Sequence, residues 1–226
     1  MNQTSNSLFD RLKTACGEDW RAYTGHGFVR QLAAGSLPET AFRYYLGQDY
    51  LFLIHFARAY ALAAYKTTNL AEMRAAVASV HGILNVEMAL HIEYCQDWDL
   101  DETAMAALPE AKATMAYTRF VLESGMAGDS LDLYTALAPC VIGYGEIGAA
   151  LAADPATVME NNPYASWIEM YAGAEYQEVA AGAVAQLDRL AEQRLTPARF
   201  DALARTFRQA TQLEADFWQM GLTQAP

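Results

Sequence analysis

The hydrophobic residues of the chain recur at intervals of three and four positions, and no segment alternates between apolar and polar residues as a half-buried strand does. This spacing places the apolar side chains on one face of a helix, so we predict an all-α fold. The connections are short, which favours a multi-helix bundle that forms a single domain over residues 1–226. The predicted helices cover about residues 5–17, 25–34, 38–66, 69–97, 102–126, 130–153, 163–193 and 197–220.

Local motifs mark the beginnings of several predicted helices. Ser36 and Glu39 have the spacing of a capping box, in which the two side chains satisfy backbone N–H groups of the first turn. Asn162 and Thr196 each directly precede a proline, which is typical of an N-cap residue followed by proline at the first helical position. These motifs predict the starts of the third, seventh and eighth helices.

Three of the predicted helices carry a polar or reactive group on an otherwise apolar face. Asp49 interrupts the aromatic face of the third helix, and Glu214 occupies an inward position of the last helix. Cys140 and Tyr144 lie on the apolar face of the sixth helix. Removing a carboxylate from water is costly unless it binds a ligand, pairs, or shifts its pKa. We therefore predict that these helices aim a group of polar side chains at one interior.

Each of these residues also has a purely structural interpretation. A buried cysteine is usually a small hydrophobic residue, and Cys140 has no cationic neighbour in the sequence to activate it. Asp49 and Glu214 could pair with Arg58 or Arg205, with a tyrosine hydroxyl, or with each other across the bundle. Both interpretations stay open at this level.

Tyrosines add a possible pocket lining. Tyr117, Tyr144 and Tyr171 each lie on an apolar helix face, where most tyrosines pack the ring and satisfy the hydroxyl group. If they converge with Asp49 and Glu214, they form a pocket with flat aromatic walls and a few fixed polar groups. Such a pocket suits a planar heteroaromatic ligand better than a sugar or a phosphate.

The segment HGILNVEMALHIEYC raises the alternative of a metal site, because it contains His81, Glu87, His91 and Glu93. A carboxylate-bridged di-iron site commonly uses Glu-x-x-His, whereas Glu87 and His91 are four positions apart. The last helix has no histidine near its inward carboxylate. We therefore predict no metal, and interpret His26 and His91 as helix-end or packing groups.

The net charge, the apolar runs and the cysteines of the chain exclude several kinds of binding partner, location and structural site. The formal net charge of −12 argues against nucleic acids and anionic membrane surfaces. Polar residues interrupt the apolar runs before the roughly 18–20 residues of a membrane span, and MNQTSNSLFDRLK lacks the features of a secretory signal. We expect a cytoplasmic protein. Cys16, Cys95 and Cys140 form no CxxC pair, so no disulfide framework or zinc site is predicted, and Cys16 and Cys95 are interpreted as structural.

Four segments together resemble the thiaminase II (TenA) family. They are HGFVRQLAAGSLPETAFRYYLGQDYLFL, ALAPCVIGYGEIG, NPYASWIEMYAGAEY and ATQLEADFWQMG, in this order and over nearly the whole chain. The resemblance implies a haem-oxygenase-like helical fold without haem or another cofactor, usually assembled as a homotetramer. It also implies hydrolysis at the methylene bridge between a 4-amino-2-methylpyrimidine and its leaving group, in thiamin salvage. The implied substrates are thiamin and its breakdown product 4-amino-5-aminomethyl-2-methylpyrimidine.

The same resemblance implies roles for individual residues. Cys140 matches the nucleophile of the cysteine-bearing branch of the family, Glu214 the acid/base residue and Asp49 the aspartate that binds the pyrimidine. Phe52 stands where some relatives carry tyrosine. The remaining residues that match the family's substrate pocket are Tyr117, Tyr144 and Tyr171.

A mechanism follows as an expectation. Asp49 holds and polarises the aminopyrimidine edge, Cys140 adds to the ring as a thiolate, and water replaces the leaving group. Glu214 moves protons and should have a raised pKa, because apolar residues on its helix remove its carboxyl group from water. Two alternatives stay open: a di-iron or cofactorless oxygenase on the same fold, and a non-catalytic protein that binds a thiamin metabolite.

Overall fold

The computed structural model describes residues 7–89, 91–92 and 101–226. All regular elements within these residues are helical, which confirms the all-α prediction. The α-helices are α1 (Leu8–Ala15), α2 (Gly17–Thr24), α3 (Gly27–Ala33), α4 (Glu39–Lys66), α5 (Leu70–Gly82), α6 (Glu102–Ala106), α7 (Lys112–Ala127), α8 (Ser130–Ala153), α9 (Ala165–Ala172), α10 (Ala174–Arg194) and α11 (Pro197–Thr223). A π-helical turn, Ile83–Glu87, continues directly from α5.

The long helices lie close to their predicted bounds. The prediction for α8 is correct at both ends, and those for α3, α4 and α11 differ by one to three residues at an end. His26 is the N-cap of α3, where its Nδ1 accepts a hydrogen bond from the Phe28 N–H, as the helix-end interpretation predicts. Thr196 is likewise the N-cap of α11, with Pro197 in the first turn.

Two capping predictions are wrong. Ser36 does not cap α4: the N-cap is Pro38, and the Ser36 hydroxyl instead donates to the Gln31 carbonyl. Asn162 does not begin a helix at the following proline, because α9 starts only at Ala165. Its side chain accepts a hydrogen bond from the Tyr164 N–H and so stabilises the turn that precedes the helix. Both segments use the polar side chain to close a loop rather than to cap a helix.

Three predicted helices are interrupted. The helix predicted over 5–17 ends at Ala15, and Cys16 separates it from α2, which the sequence pattern did not predict. The helix predicted over 102–126 breaks around Pro109, which lacks an N–H group. Gln48 of α4 satisfies the interrupted backbone there, because its amide binds both the Pro109 carbonyl and the Ala111 N–H.

The third interruption lies at Gly173, where extended backbone divides the predicted helix 163–193 into α9 and α10. Gln177 bridges the break, since its side-chain amide donates to the carbonyls of Tyr171 and Gly145. A Cβ atom at Gly148 would lie 2.5 Å from the Tyr171 carbonyl carbon, so this glycine allows α9 to approach α8 closely. The break therefore holds Tyr171 against the central helix.

Helix α8 is the centre of the bundle and packs against α7, α9, α10 and α11. It is the one helix among the described residues that is long and apolar enough to cross a membrane, and 61% of its apolar window is buried inside the protein. Its apolar surface therefore forms core contacts. Cys140 and Tyr144 lie near its middle, which places both of them inside the bundle.

Candidate active site

Helices α4, α8 and α11 bring Asp49, Cys140 and Glu214 to one interior. Asp49 is 5% exposed and Glu214 is 2% exposed, whereas Cys140 is partly exposed. Both carboxyl groups act on the Cys140 thiol through their negative charges when they are ionised. Three residues that are 91 and 74 positions apart along the chain thus share one electrostatic environment.

Ionisation of the Cys140 thiol is strongly disfavoured. Burial raises its pKa well above the usual range, and the charges of Glu214, Glu87 and Asp49 raise it further. The sequence-based mechanism uses a thiolate, but the resting site holds the protonated thiol at neutral pH. Ionisation of Cys140 therefore requires transfer of its proton to another group in the site.

Glu214 has the properties of a proton donor. Burial raises the pKa of its carboxyl group to about 8, in the direction that the sequence predicts. The hydroxyl of Tyr117 donates a hydrogen bond of 2.8 Å to Glu214 Oε1 and opposes part of that shift. Phe217 and Trp218 of the same helix are buried and exclude water from the carboxyl group. At neutral pH Glu214 is mainly protonated.

Asp49 is held by a histidine. The Nε2–H group of His91 donates to Asp49 Oδ2 at 2.6 Å, and the hydroxyl of Tyr45 donates to the same oxygen at 3.3 Å. Burial lowers the pKa of His91, but the hydrogen bond and charge of Asp49 outweigh burial and raise it to about 8. His91 is therefore mainly an imidazolium at neutral pH. Of the structural partners considered from the sequence, a tyrosine hydroxyl is present at each of Asp49 and Glu214.

The interpretation of His91 as a packing or helix-end group is wrong, and Glu87 was missed as a site residue. The His91 Nδ1–H group donates to the Glu87 carbonyl oxygen at 2.9 Å, which orients the ring toward Asp49. The Glu87 carboxyl group lies in the same interior, where burial raises its pKa to about 7. The available signal was the spacing of four positions, which puts both side chains on one helix face.

The metal alternative is not supported by the positions of these residues. His81 is exposed and its Nδ1 lies 3.1 Å from the Asn85 amide nitrogen, whereas His91 is buried beside Asp49. Glu93 lies outside the described residues, as does Cys95. Across residues 7–89, 91–92 and 101–226, no three His, Cys, Asp or Glu side chains are grouped so that they could hold a metal ion.

The predicted aromatic residues form two walls. The ring of Phe52 lies 4.9 Å from that of Tyr117, beside Glu214. On the other side the rings of Tyr144 and Tyr171 are also 4.9 Å apart, and the Tyr144 hydroxyl lies 3.3 Å from that of Tyr45. These contacts place flat apolar surfaces around the polar groups.

Tyr176 is a further member of the lining that the sequence did not reveal. Its ring contacts Tyr171 with 4.7 Å between ring centres. Burial raises the pKa of its hydroxyl, and the charges of Glu87 and Cys140 raise it further. Tyr176 and Cys140 are both partly exposed.

A thiol, three carboxyl groups, an imidazolium and aromatic rings thus converge in the interior of an all-α bundle, and such a set of groups is typical of a candidate active site. The family model described as the TENA/THI-4/PQQC family matches residues 15–224. The chain belongs to this family, which confirms the TenA resemblance of the four segments.

Known proteins are similar over most of the chain. The aminopyrimidine aminohydrolase of Halalkalibacterium halodurans is 35% identical over 202 residues, which are 89% of this chain and 89% of that protein. The crystal structure of a TenA family transcription regulator from Silicibacter sp. TM1040 is 45% identical, with a TM-score of 0.91 over 99% of this chain and 100% of that chain.

A more distant structure confirms the fold. A domain with a heme oxygenase-like fold from Shewanella denitrificans has a TM-score of 0.73 at 14% identity, and covers 96% of this chain and 92% of that chain. The haem-oxygenase-like bundle expected from the sequence is therefore the observed architecture.

Proposed function

We propose that the chain is an aminopyrimidine aminohydrolase of the thiaminase II type, in the cysteine-bearing branch of the family. The observation that carries the proposal is the convergence of Asp49, Cys140 and Glu214 from three helices on one interior, where burial raises the pKa of Glu214 to about 8. The name of the H. halodurans relative supports the reaction class. The substrates are thiamin or 4-amino-5-aminomethyl-2-methylpyrimidine, and the product is the hydroxymethylpyrimidine.

Asp49 binds the edge of the pyrimidine in this proposal. Its carboxylate accepts a hydrogen bond from the exocyclic amino group of the substrate, while His91 and Tyr45 hold it in place. The ring lies between the aromatic walls formed by Phe52, Tyr117, Tyr144 and Tyr171. A planar ligand keeps its apolar faces out of water there and satisfies its polar edge.

Glu214 and Cys140 exchange protons during the addition step. Glu214 donates its proton to a ring nitrogen, which makes the ring electrophilic, and then accepts the proton of the Cys140 thiol. The thiolate adds to the adjacent ring carbon. The raised pKa of each group is compatible with this order, because neither Glu214 nor Cys140 needs to ionise before the substrate accepts a proton.

Replacement of the leaving group completes the reaction. The bond from the methylene carbon to the leaving group breaks, and its electron pair departs with the leaving group. Water adds its oxygen to the methylene carbon and releases a proton. The carbon–sulfur bond then breaks, the ring nitrogen gives up the proton that it received, and Cys140 regains a proton through Glu214.

The direct test is incubation of the purified protein with each substrate, followed by chromatography of the hydroxymethylpyrimidine. We expect product from the wild type and none from Cys140→Ser, which should still bind the pyrimidine. Asp49→Asn should weaken binding and slow turnover together. An active Cys140→Ser enzyme would eliminate the nucleophile role, and no product from the wild type would eliminate the hydrolase.

Binding without catalysis is the second candidate function, because the similar Silicibacter protein is described as a transcription regulator. The net charge of −12 argues against direct contact with DNA. Saturable binding of the aminopyrimidine without product would favour this candidate. The oxygenase alternative has no corresponding observation in its support.

We also propose that the chain forms a homotetramer, as the family resemblance implies. Helix α5 carries an exposed apolar face with Leu70 57%, Val77 54% and, beyond the helix, Leu84 46% exposed. Ala76 is the buried residue of this helix, so most of its apolar surface is available to another subunit. Light scattering coupled to size exclusion should give four times the mass of 24.9 kDa. The cytoplasmic location stays a prediction.

A further inference from the structure

Glu87 is a carboxyl group of the site that the proposed mechanism does not use. It ends the π-helical turn that follows α5, and π turns occur frequently at functional sites. Its Oε1 accepts a long hydrogen bond of 3.4 Å from the Tyr171 hydroxyl. Among the described residues its Oε2 has no hydrogen-bond partner, and Glu87 is partly exposed.

Among the described residues no cationic side chain forms a direct ion pair with this carboxyl group, although the charge of the His91 imidazolium acts on it. His91 lies nearby, but its Nε2–H group donates to Asp49 and its Nδ1–H group donates to the Glu87 backbone carbonyl. Both N–H groups are therefore committed. Within the part of the chain that the structure describes, no lysine or arginine forms an ion pair with Glu87. A partly desolvated carboxylate in this situation is stabilised by a ligand that carries a positive charge.

The Glu87 carboxyl group acts on the reactive thiol from a different helix than Glu214 does. Its charge contributes to the raised pKa of Cys140, as do the charges of Glu214 and Asp49. The Tyr171 hydroxyl donates to Glu87, and the ring of Tyr171 contacts those of Tyr144 and Tyr176, so Glu87 adjoins the aromatic wall of the site. In the proposed reaction Asp49 and Glu214 serve the pyrimidine ring, and the substituent on the methylene carbon needs a separate partner.

We propose that Glu87 binds the positively charged leaving group of the substrate and selects a primary ammonium over a quaternary thiazolium. This inference rests on the proposed function. A primary alkylamine is an ammonium at neutral pH, like the side chain of lysine, and offers three N–H donors to the free carboxylate oxygen of Glu87. The thiazolium of thiamin carries the charge on a fully substituted nitrogen and offers no N–H donor.

With Glu87 bound to the ammonium group, all protons of the hydrolysis are accounted for. The carbon–nitrogen bond of the ammonium breaks with its electron pair on nitrogen, which gives neutral ammonia. Water supplies the hydroxyl group of the product, and the remaining proton of that water converts ammonia to ammonium. Glu87 holds the nitrogen throughout, and no further reagent is required.

The test measures binding rather than turnover, in a Cys140→Ser background that keeps the substrate intact. Calorimetry compares 4-amino-5-aminomethyl-2-methylpyrimidine with 4-amino-2,5-dimethylpyrimidine, which has the same ring and no ammonium. Glu87→Gln should weaken binding of the amine about tenfold or more, the loss expected for a charge-assisted hydrogen bond. Binding of the dimethyl compound should change by less than about threefold.

Two further variants control for structural effects. Glu87→Asp keeps the charge with a shorter reach and should retain part of the preference for the amine, which also covers the case that Glu87→Gln folds poorly. Glu146→Gln removes a carboxylate of α8 that pairs with Lys13 at 2.7 Å, and should change neither affinity.

The outcomes separate this inference from the proposed function. Equal weakening of both ligands by Glu87→Gln, or weakening of neither, overturns the role of Glu87 whatever the wild type hydrolyses. Selective loss of amine binding supports it even if the wild type yields no product, in which case only the hydrolase proposal fails. Failure of both ligands to bind the parent protein overturns both proposals.

Discussion

His91 lies 2.6 Å from Asp49 and connects two helical segments that are far apart in sequence. The same ring is bound on its other side by the Glu87 carbonyl oxygen, so its orientation is fixed by both nitrogens. Because both partners are buried, this charged hydrogen bond is much less weakened by solvent than a surface ion pair. At neutral pH it gives Asp49 a cationic neighbour and a fixed position from which to bind a ligand.

We predict that His91→Gln lowers kcat/KM for the aminopyrimidine by about tenfold or more, because the amide can donate a hydrogen bond to Asp49 but carries no charge. Steady-state kinetics would measure the loss. The matched control is His55→Gln, which removes another histidine–carboxylate pair of α4, with Glu110 at 3.0 Å on the outer side of the helix. If both variants lose activity equally, His91 supports the fold rather than the site.

The sequence revealed Asp49, Glu214 and Cys140 because each interrupts the apolar face of a long buried helix. It did not reveal the inward face of α5, for a physical reason. The apolar residues Leu70 and Val77 of that helix are exposed to solvent, so its apolar spacing does not mark the buried side. Burial on α5 and its continuation is decided by packing against α4, which single-sequence patterns do not contain.

The hydrophobic pattern of the sequence also does not predict the breaks between helices. At Gly173 and Pro109 the apolar spacing continues on both sides, so the sequence predicts uninterrupted helices. Whether such a residue ends a helix depends on what satisfies the freed backbone groups. Here those hydrogen bonds come from side chains of other helices. Gln177 of α10 donates to the Tyr171 carbonyl of α9, and Gln48 of α4 accepts from the Ala111 N–H.

We predict that Cys140 reacts slowly with iodoacetamide in the free protein at pH 7, because its raised pKa leaves little thiolate. The labelling rate should rise about tenfold per pH unit to beyond pH 9. Peptide mapping by mass spectrometry identifies the labelled cysteine. Glu214→Gln should label faster above pH 8, since it removes a negative charge beside the thiol. A rate that is already constant below pH 8 would contradict the protonated resting thiol.

We predict that Tyr117→Phe shifts the alkaline limb of the kcat/KM profile to higher pH. The Tyr117 hydroxyl donates to Glu214 and favours its ionised form, so removing the hydroxyl raises the pKa of Glu214 further above about 8. The maximal rate should fall about three- to tenfold, as expected for one neutral hydrogen-bond donor. Tyr134→Phe is the control, because the ring of Tyr134 packs against that of Tyr60, with 6.1 Å between ring centres, and the charges that act on its hydroxyl are those of Glu72 and Arg189. An unshifted limb would separate Glu214 from the group that controls the rate.

We predict that Glu214→Gln stabilises the protein, and that the gain grows with pH. The pKa of Glu214 is about 8 in the folded protein against the ordinary value of 4.5 in the unfolded chain, so between these pH values the folded state binds a proton that the unfolded chain has lost. The stability contributed by that proton is fully present below about pH 4.5 and is lost as the pH rises through about 8.

Glutamine is neutral at every pH and does not undergo this loss. The difference in unfolding free energy between variant and wild type should therefore increase between pH 5 and pH 8 and level off above it, on the order of a few kcal/mol. Urea unfolding at several pH values measures the difference. His91 titrates in the same direction, with a pKa raised to about 8, but it is present in both proteins and cancels in the comparison. A difference that is constant from pH 5 to pH 9 would show that Glu214 ionises normally in the folded protein.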